Sequence, residues 1–208
     1  MQTPEQAHQL GLLIFLLFFV YAAFLNRGSV PFTLQKEAKA SMFITPCYLF
    51  RDASRITPEF LRSQGITALL LDVDNTLTAH GSQELSGHIR SWLAQMQQAG
   101  IQLAIASNNT HNRVEPFAQK LGLPYQAMCC KPLPWGLAKA SKQLGVSRRQ
   151  LAIVGDQLFT DRLAAALYGI RALVVLPMTE DTHKGIRFKR KLEQPFLNRY
   201  YRKGGKLL

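Results

Sequence analysis

The sequence predicts a doubly wound, mostly parallel α/β sheet, and three observations carry that expectation. Short runs that are apolar at every position recur along the chain, ending near Leu71, Ala106, Val154 and Leu176. Such runs read as strands buried on both faces, as in parallel sheets. Stretches with helical periodicity separate them, the alternation expected of βαβ units. Most of these runs also end in polar residues, and the carboxyl ends of strands are where open α/β sheets bind ligands.

Taken in order, the chain opens on sixteen uncharged residues, Leu10 to Leu25, inside an uncharged window of 21 residues from Gln6 to Asn26. At about 1.5 Å per residue the window spans roughly 30 Å, one hydrocarbon core. It has no polar stripe, so residues 1–27 read as a transmembrane anchor, an N-terminal hydrophobic helix. A cleaved signal peptide is the alternative. Ala22-Ala23 would suit a peptidase, but Glu5 is the lone charged side chain ahead of the run, where a basic region belongs. Arg27, Lys36 and Lys39 follow the run, which places the remainder on the cytoplasmic side of a membrane. Residues 28–42 read as a linker, 43–182 as the folded domain and 183–208 as a basic tail. The aromatic segment to Phe50 suits either a lipid interface or ordinary core.

Thr57-Pro58-Glu59 followed by Gly65 marks a short helix with an N-cap, a proline in its first turn and a glycine stop. The first strand then runs to Asp72. Ile89, Trp92, Leu93 and Met96 share one face of a helix within 84–98, which Gly100 ends. The strand 101–106 follows, then a helix through Val114, Phe117, Ala118 and Leu121 whose start Pro116 obscures. A short strand is expected at 127–130, a helix at 135–144, a strand at 151–154, a helix to about Tyr168 and a strand at 172–176.

Net charge is +12, and nine Lys or Arg against Glu193 put +8 of it in the last 26 residues. Bases interleaved with Phe188, Phe196, Tyr200 and Tyr201 suit an anionic bilayer at about 1 kcal/mol per base. Nucleic acid would attract such a segment similarly, and a solvated disordered tail is the bland reading. The hydrophobic run at the other end favours lipid, and no nucleic-acid partner is expected. Three cysteines, two of them adjacent, make no disulfide framework and suit a reducing compartment.

Four strand ends carry chemistry: Asp72, Asp74 and Thr76; Ser107 and Asn108; Lys131; Asp156 and Asp161. Parallel strands share one direction, so these groups converge on one edge. Clustered carboxylates repel and call for a cation. Oxygen ligands of this kind select a hard ion, most naturally Mg²⁺. Lys131 and Ser107 add a positive charge and a hydroxyl donor for phosphate oxygens. One carboxylate can attack phosphorus while a second moves protons.

Asp72-Val-Asp-Asn-Thr76, Ser107-Asn-Asn, Lys131-Pro and Gly155-Asp-Gln-Leu-Phe-Thr-Asp161 resemble, in order, the four motifs of haloacid-dehalogenase (HAD) superfamily phosphatases. Arg113-Val114 after the second motif and Arg187-Phe-Lys-Arg-Lys-Leu-Glu193 also look like subclass IIIA, the YqeG-type group that includes mitochondrial phosphatidylglycerophosphate phosphatase. The resemblance spans about residues 43–193. It implies a HAD-type Rossmann-like fold and a Mg²⁺-dependent phosphomonoesterase. Asp72 would be the nucleophile and Asp74 the general acid/base, its carbonyl also on the metal. Thr76, Ser107, Asn108 and Lys131 would surround the phosphoryl group. Asp72, Asp74, Asp156 and Asp161 would serve the metal. Arg162 and Ala164 to Ala166 depart from the group's pattern, as does the N-terminal hydrophobic run.

Between Thr76 and Ser107, and again between Ser107 and Lys131, the chain has room for one helix and loops. A capless, open site follows, suited to a large substrate. The expectation is a phosphatase of phosphatidylglycerophosphate at a membrane surface, its anionic phospholipid substrate also its partner. A phosphoprotein, sugar phosphate or nucleotide is the alternative substrate, and a receiver-like or scaffold domain the alternative class.

Overall fold

A computed structural model describes residues 43–179 and 184–208. The chain divides into two compact units, Met1–Ile44 and Thr45–Leu208, and the account below concerns the second. The anchor and linker readings for 1–27 and 28–42 lie outside the described residues. Among the described residues no helix is long and apolar enough to cross a membrane.

Six strands form one wholly parallel sheet: β1 (Tyr48–Phe50), β2 (Ala68–Leu71), β3 (Gln102–Ala106), β4 (Tyr125–Gln126), β5 (Leu151–Gly155) and β6 (Arg171–Val175). Their order is β1-β6-β5-β2-β3-β4. From β2 the chain steps outward to β3 and β4, then returns to the other side of β2 for β5 and β6. That reversal makes a crevice at the carboxyl end of β2, the switch point of an open α/β sheet.

The crossover helices are α2 (Gly87–Gln98), α3 (His111–Leu121), α4 (Trp135–Leu144) and α5 (Leu163–Tyr168), preceded by α1 (Pro58–Ser63). Right-handed crossovers running in opposite directions put α2 and α3 on one face and α4 and α5 on the other. All four residues of β2 are fully buried, as a central parallel strand must be. Thr57 caps α1, its hydroxyl accepting from the Phe60 amide at 3.1 Å, with Pro58 in the first turn. On α2 the buried residues are Ile89, Trp92, Leu93 and Met96, the face the sequence predicts, and the Trp92 indole donates to the Ile56 carbonyl at 2.8 Å.

Several boundaries differ from the sequence reading. Of the two readings of the aromatic stretch ending at Phe50, ordinary core is the one observed, and the stretch also forms an edge strand, β1, that pairs in parallel with β6. The expected strand at 127–130 is instead the two-residue β4 at Tyr125–Gln126. Residues 127–130 leave the ladder, and Met128 and Cys130 take positive φ of 49° and 54°. α3 runs through Pro116, which costs it one backbone hydrogen bond without breaking it. The helix expected before Tyr168 opens as a π turn, Leu158–Arg162.

The largest difference lies in the basic C-terminal segment, which is folded. It forms α6 (Lys184–Arg202), with Glu193, Phe196 and Tyr200 buried along one face. The Phe196 ring meets that of Phe159 edge-on at 5.8 Å. The outer face presents Arg187, Lys191, Gln194, Asn198 and Arg202, all exposed and none acidic. Past α6 the chain returns beside β1: Leu208 donates to the Leu49 carbonyl and accepts from the Arg51 amide, both at 2.9 Å. That pairing covers the edge of β1.

Phe196→Ala should cost about 3–5 kcal/mol, the range for removing a buried aromatic ring, and speed trypsin cleavage within α6. Urea unfolding and timed proteolysis check both; unchanged values would mean the ring does not hold the helix.

Candidate active site

Four loops at the carboxyl edge of the sheet build one cluster. The first leaves β2, with the Asp72 amide still in the ladder, 2.9 Å from the Val154 carbonyl. It turns at Asn75, whose φ of 61° is one that Asn tolerates better than most residues. The turn is tied by the Asn75 amide to Thr78 O at 2.8 Å and the Leu77 amide to Val73 O at 2.9 Å. From beyond β6 the Thr179 hydroxyl donates to Asn75 Oδ1 at 2.8 Å, and the Met178 amide to Asn75 O at 3.0 Å. The loop is therefore fixed from two sides, with Val73 and Leu77 buried beneath it.

The second and third loops clasp each other. The Asn108 side chain accepts from the Lys131 amide at 2.7 Å and donates to the Lys131 carbonyl at 2.9 Å. Its amide group thus spans both sides of the lysine's backbone and aims the side chain inward. Ser107 is buried, and its Oγ accepts from the Asn109 amide at 3.2 Å. The fourth loop begins at Gly155, where a Cβ would overlap the Asp161 carboxyl group. The π turn then inserts an extra residue, and both Asp161 and Arg162 amides reach the Gln157 carbonyl. This tucks Asp161 under the sheet edge, with its Oδ2 accepting from the Gln157 amide at 3.2 Å and the Thr160 hydroxyl at 3.3 Å.

The centre of the cluster is the Lys131 ammonium. It donates to Asp72 Oδ1 at 2.7 Å, Asp161 Oδ1 at 2.6 Å and the Ala106 carbonyl at 2.9 Å, which uses all three of its protons. Burial alone would depress its pKa, but the charges of Asp161 and Asp72 outweigh burial and hold it above the usual lysine range. Lys131 is a fixed cation.

Asp72, Asp156 and Asp161 each bring a carboxylate oxygen to within 4.8 Å of the others. Burial pushes the Asp72 carboxyl up to about 7; Lys131 opposes that and Asp161 adds to it. Burial also holds Asp156 well above its ordinary value, against the pull of Arg190. Three carboxylates face two cations, Lys131 and Arg190, so an uncompensated negative charge remains when all are ionised. A buried, oxygen-only donor set with that excess fits a hard divalent cation. Solvent access separates the three: Asp72 keeps 12% of its side-chain surface exposed, Asp161 2% and Asp156 none. Among the three, a substrate can approach Asp72.

The other sequence-stated residues sit beside this trio in different ways. The Asp74 carboxylate does not join it. It accepts from the Gly81 amide at 2.8 Å, Asn109 Nδ2 at 2.5 Å and Arg113 Nη2 at 3.2 Å. Thr76 is fully buried, its hydroxyl 3.5 Å from Asp156 Oδ1, which places it against a carboxylate rather than an open phosphate site. Between Thr76 and Ser107 the one helix is α2, and between Ser107 and Lys131 the one helix is α3, so neither interval holds a separate cap domain. A cleft of about 510 Å³ lies to one side, lined by Gln83, Glu84, Leu85, Arg90, Phe117, Lys120 and Leu121, none of them in the cluster.

Sequence reasoning assigned no role to Arg113, Asn109, Arg190 or Glu193. Arg190 is the clearest omission, since its guanidinium contacts the Asp156 carboxylate from α6. The signal available was Glu193, a lone acid three residues after an arginine in a segment otherwise wholly basic.

Two outcomes follow from this geometry. Gly155→Ala should displace Asp161 and weaken divalent-ion binding; calorimetric titration with Mg²⁺ reads the loss, and unaltered affinity would contradict it. The second concerns pH. Asp72 binds its proton more tightly in the folded state (about 7) than at its ordinary value of 3.8. Between those values the folded state holds more protons, so stability without metal falls as pH rises through the window. A bound divalent ion relieves that loss. The increment in Tm on adding Mg²⁺ should be larger at pH 8 than at pH 5. A hundredfold excess over Kd is worth about 2.7 kcal/mol, or about 5–10 °C for a chain of this size. Thermal melts at both pH values check it, and equal increments would refute it.

Comparison with known proteins agrees with this architecture. Residues 33–169 match the sequence profile of the haloacid dehalogenase-like hydrolases. "Probable phosphatase YqeG" of Bacillus subtilis is 29% identical over 162 residues, covering 78% of this chain and 94% of that protein. "Phosphatidylglycerophosphate phosphatase 1, chloroplastic/mitochondrial" of Arabidopsis thaliana is 26% identical over 194 residues, covering 86% of this chain and 55% of that one. Among solved structures, a HAD superfamily (subfamily III A) hydrolase from Legionella pneumophila is 18% identical, with a TM-score of 0.42 over 78% of this chain and 93% of that one. The profile match spans well over half of the sequence, and the chain belongs to the haloacid dehalogenase-like hydrolase family, within which it is similar to phosphatases of the YqeG type.

Proposed function

We propose that this HAD-family phosphatase hydrolyses a phosphomonoester through an aspartyl-phosphate on Asp72, with Mg²⁺ held by Asp72, Asp156 and Asp161. The observation that carries the reading is the position of Asp72. It stands at the switch point of the sheet with Lys131 on one oxygen, and it is the member of the trio that solvent reaches.

An Asp72 oxygen attacks phosphorus, and the bond from phosphorus to the ester oxygen breaks. Asp74, protonated at the start of the cycle, delivers that proton to the departing oxygen. Asp74 then takes a proton from water as that water attacks the aspartyl-phosphate, which frees phosphate and restores Asp72. Lys131, locked by Asp161 and the Ala106 carbonyl, screens the repulsion between the Asp72 carboxylate and the phosphate oxygens. Ser107 and the Asn108 backbone lie at the same edge, where the phosphoryl group would sit. Bound Mg²⁺ supplies further neutralisation of the phosphate charge.

For the substrate we propose the monoester headgroup of an anionic phospholipid, phosphatidylglycerophosphate, with phosphatidylglycerol as product. Three features support it. Neither interval between the first three motifs holds a separate cap domain. The outer face of α6 is basic without a single acid. The Arabidopsis thaliana relative carries that lipid in its name. Association with a membrane, the catalytic unit on the cytoplasmic side, belongs to the same proposal and rests on the hydrophobic window at 6–26 and the bases after it.

The test is Mg²⁺-dependent phosphate release from phosphatidylglycerophosphate in mixed micelles, beside a soluble phosphopeptide, a sugar phosphate and a nucleotide. The lipid should be turned over best, and Asp72→Asn should lower release by more than about 10³-fold, as removal of a nucleophile does. Preference for a soluble ester would sink the lipid assignment. Release from none of them would sink the phosphatase reading.

A further inference from the structure

The inner face of α6 reaches the cluster at one residue. Arg190 Nη2 contacts Asp156 Oδ2, and Nη1 donates to the backbone carbonyl of the same aspartate at 2.6 Å. The guanidinium thus grips Asp156 by main chain and side chain together, which fixes the direction of its carboxylate. Arg190 is itself braced: Nη1 lies 3.2 Å from Glu193 Oε2, while Glu193 Oε1 accepts from the Phe159 amide at 3.1 Å. Glu193 therefore ties the helix to the π turn that places Asp161. The remaining Asp156 oxygen, Oδ1, has the Thr76 hydroxyl at 3.5 Å, the long end of a hydrogen bond.

We propose that Arg190 is a positioning residue for the metal site. By holding Oδ2 and the carbonyl of Asp156, it turns Oδ1 toward the ion shared with Asp72 and Asp161. Glu193 holds Arg190 in turn. This rests on the reading of the three aspartates as the metal site.

Two effects of Arg190 oppose each other. Its charge repels a cation bound nearby, whereas its fork orients the ligand. Orientation wins, because the Asp156 side chain has no solvent-exposed surface. Without the fork, Oδ2 is a buried carboxylate oxygen deprived of its donor. The side chain would then be free to rotate toward another donor, and an Asp156 turned away is lost to the ion. Partners that hold metal ligands commonly contribute 10–100-fold in metal affinity.

The experiment measures Mg²⁺ binding by calorimetry, and Mn²⁺ binding by electron paramagnetic resonance, on the full chain without substrate. Arg190→Gln should raise Kd by about 10–100-fold. Arg190→Lys, which keeps the charge and loses the fork, should recover little of that. Glu193→Gln should fall between native and Arg190→Gln. Thermal melts without metal report whether each variant folds. If Arg190→Gln does not fold, the other two variants carry the test with the same signs. Unchanged or tighter binding in folded variants overturns the proposal, tighter binding marking Arg190 as a competitor of the ion. Absence of any binding by the native protein overturns the metal-site reading, and this proposal falls with it.

Discussion

The arrangement depends on a single buried ammonium. Lys131 Nζ joins the nucleophile candidate after β2, the aspartate from the π turn and the carbonyl that ends β3. Its three partners come from three segments separated widely in sequence. Removing the lysine would leave two carboxylates facing each other in a largely buried crevice, a burial that costs several kcal/mol per uncompensated ion. The features around it serve to keep it in place. Asn108 grips its backbone on both sides, and Cys130 adopts a left-handed conformation that delivers it from the far side of the ladder. Gly155 leaves the space in which Asp161 can meet it.

What the sequence made legible was governed by local rules. Apolar runs fixed the central strands because β2 and β5 are buried on both faces, which removes the ambiguity of an alternating pattern. The polar residues at their ends were then on one edge by topology alone. β1 was harder to read, since three residues carry no period, and its aromatic composition suits an interface as well as a core. The π turn was invisible, because Leu158 to Arg162 has ordinary helical composition and the extra residue is imposed by Asp161 folding back on Gly155. The end of the chain misled for a different reason. Charge count describes an exposed face, and α6 has one, but Glu193, Phe196 and Tyr200 at helical spacing were the signal of the buried face beneath it.

Within the site, sequence located residues better than it located side chains. Asp72 and Asp74 are two apart, and in an extended strand they would point the same way. The chain leaves the ladder after Leu71 and turns at Asn75, which separates them: Asp72 enters the carboxylate trio, while Asp74 swings to Asn109 and Arg113. That separation is compatible with the two roles proposed for them, Asp72 on phosphorus and Asp74 moving protons. Thr76 follows the same logic, since the turn buries its hydroxyl against Asp156.

Charge explains why such a site is tolerable and how it would receive the proposed metal and phosphate. With Lys131 and Arg190 set against Asp72, Asp156 and Asp161, the cluster by itself carries net negative charge in a buried crevice, and burial raises two of its carboxyls toward protonation. A divalent cation reverses the sign and leaves a single positive charge. A phosphate monoester dianion then returns it to a single negative one. The dianion alone would leave the cluster at minus three and the cation alone leaves it at plus one, whereas each offsets the charge the other adds, so cation and dianion each make the crevice a better host for the other. For the proposed function, cooperative binding of metal and phosphate is the expected consequence of that charge count.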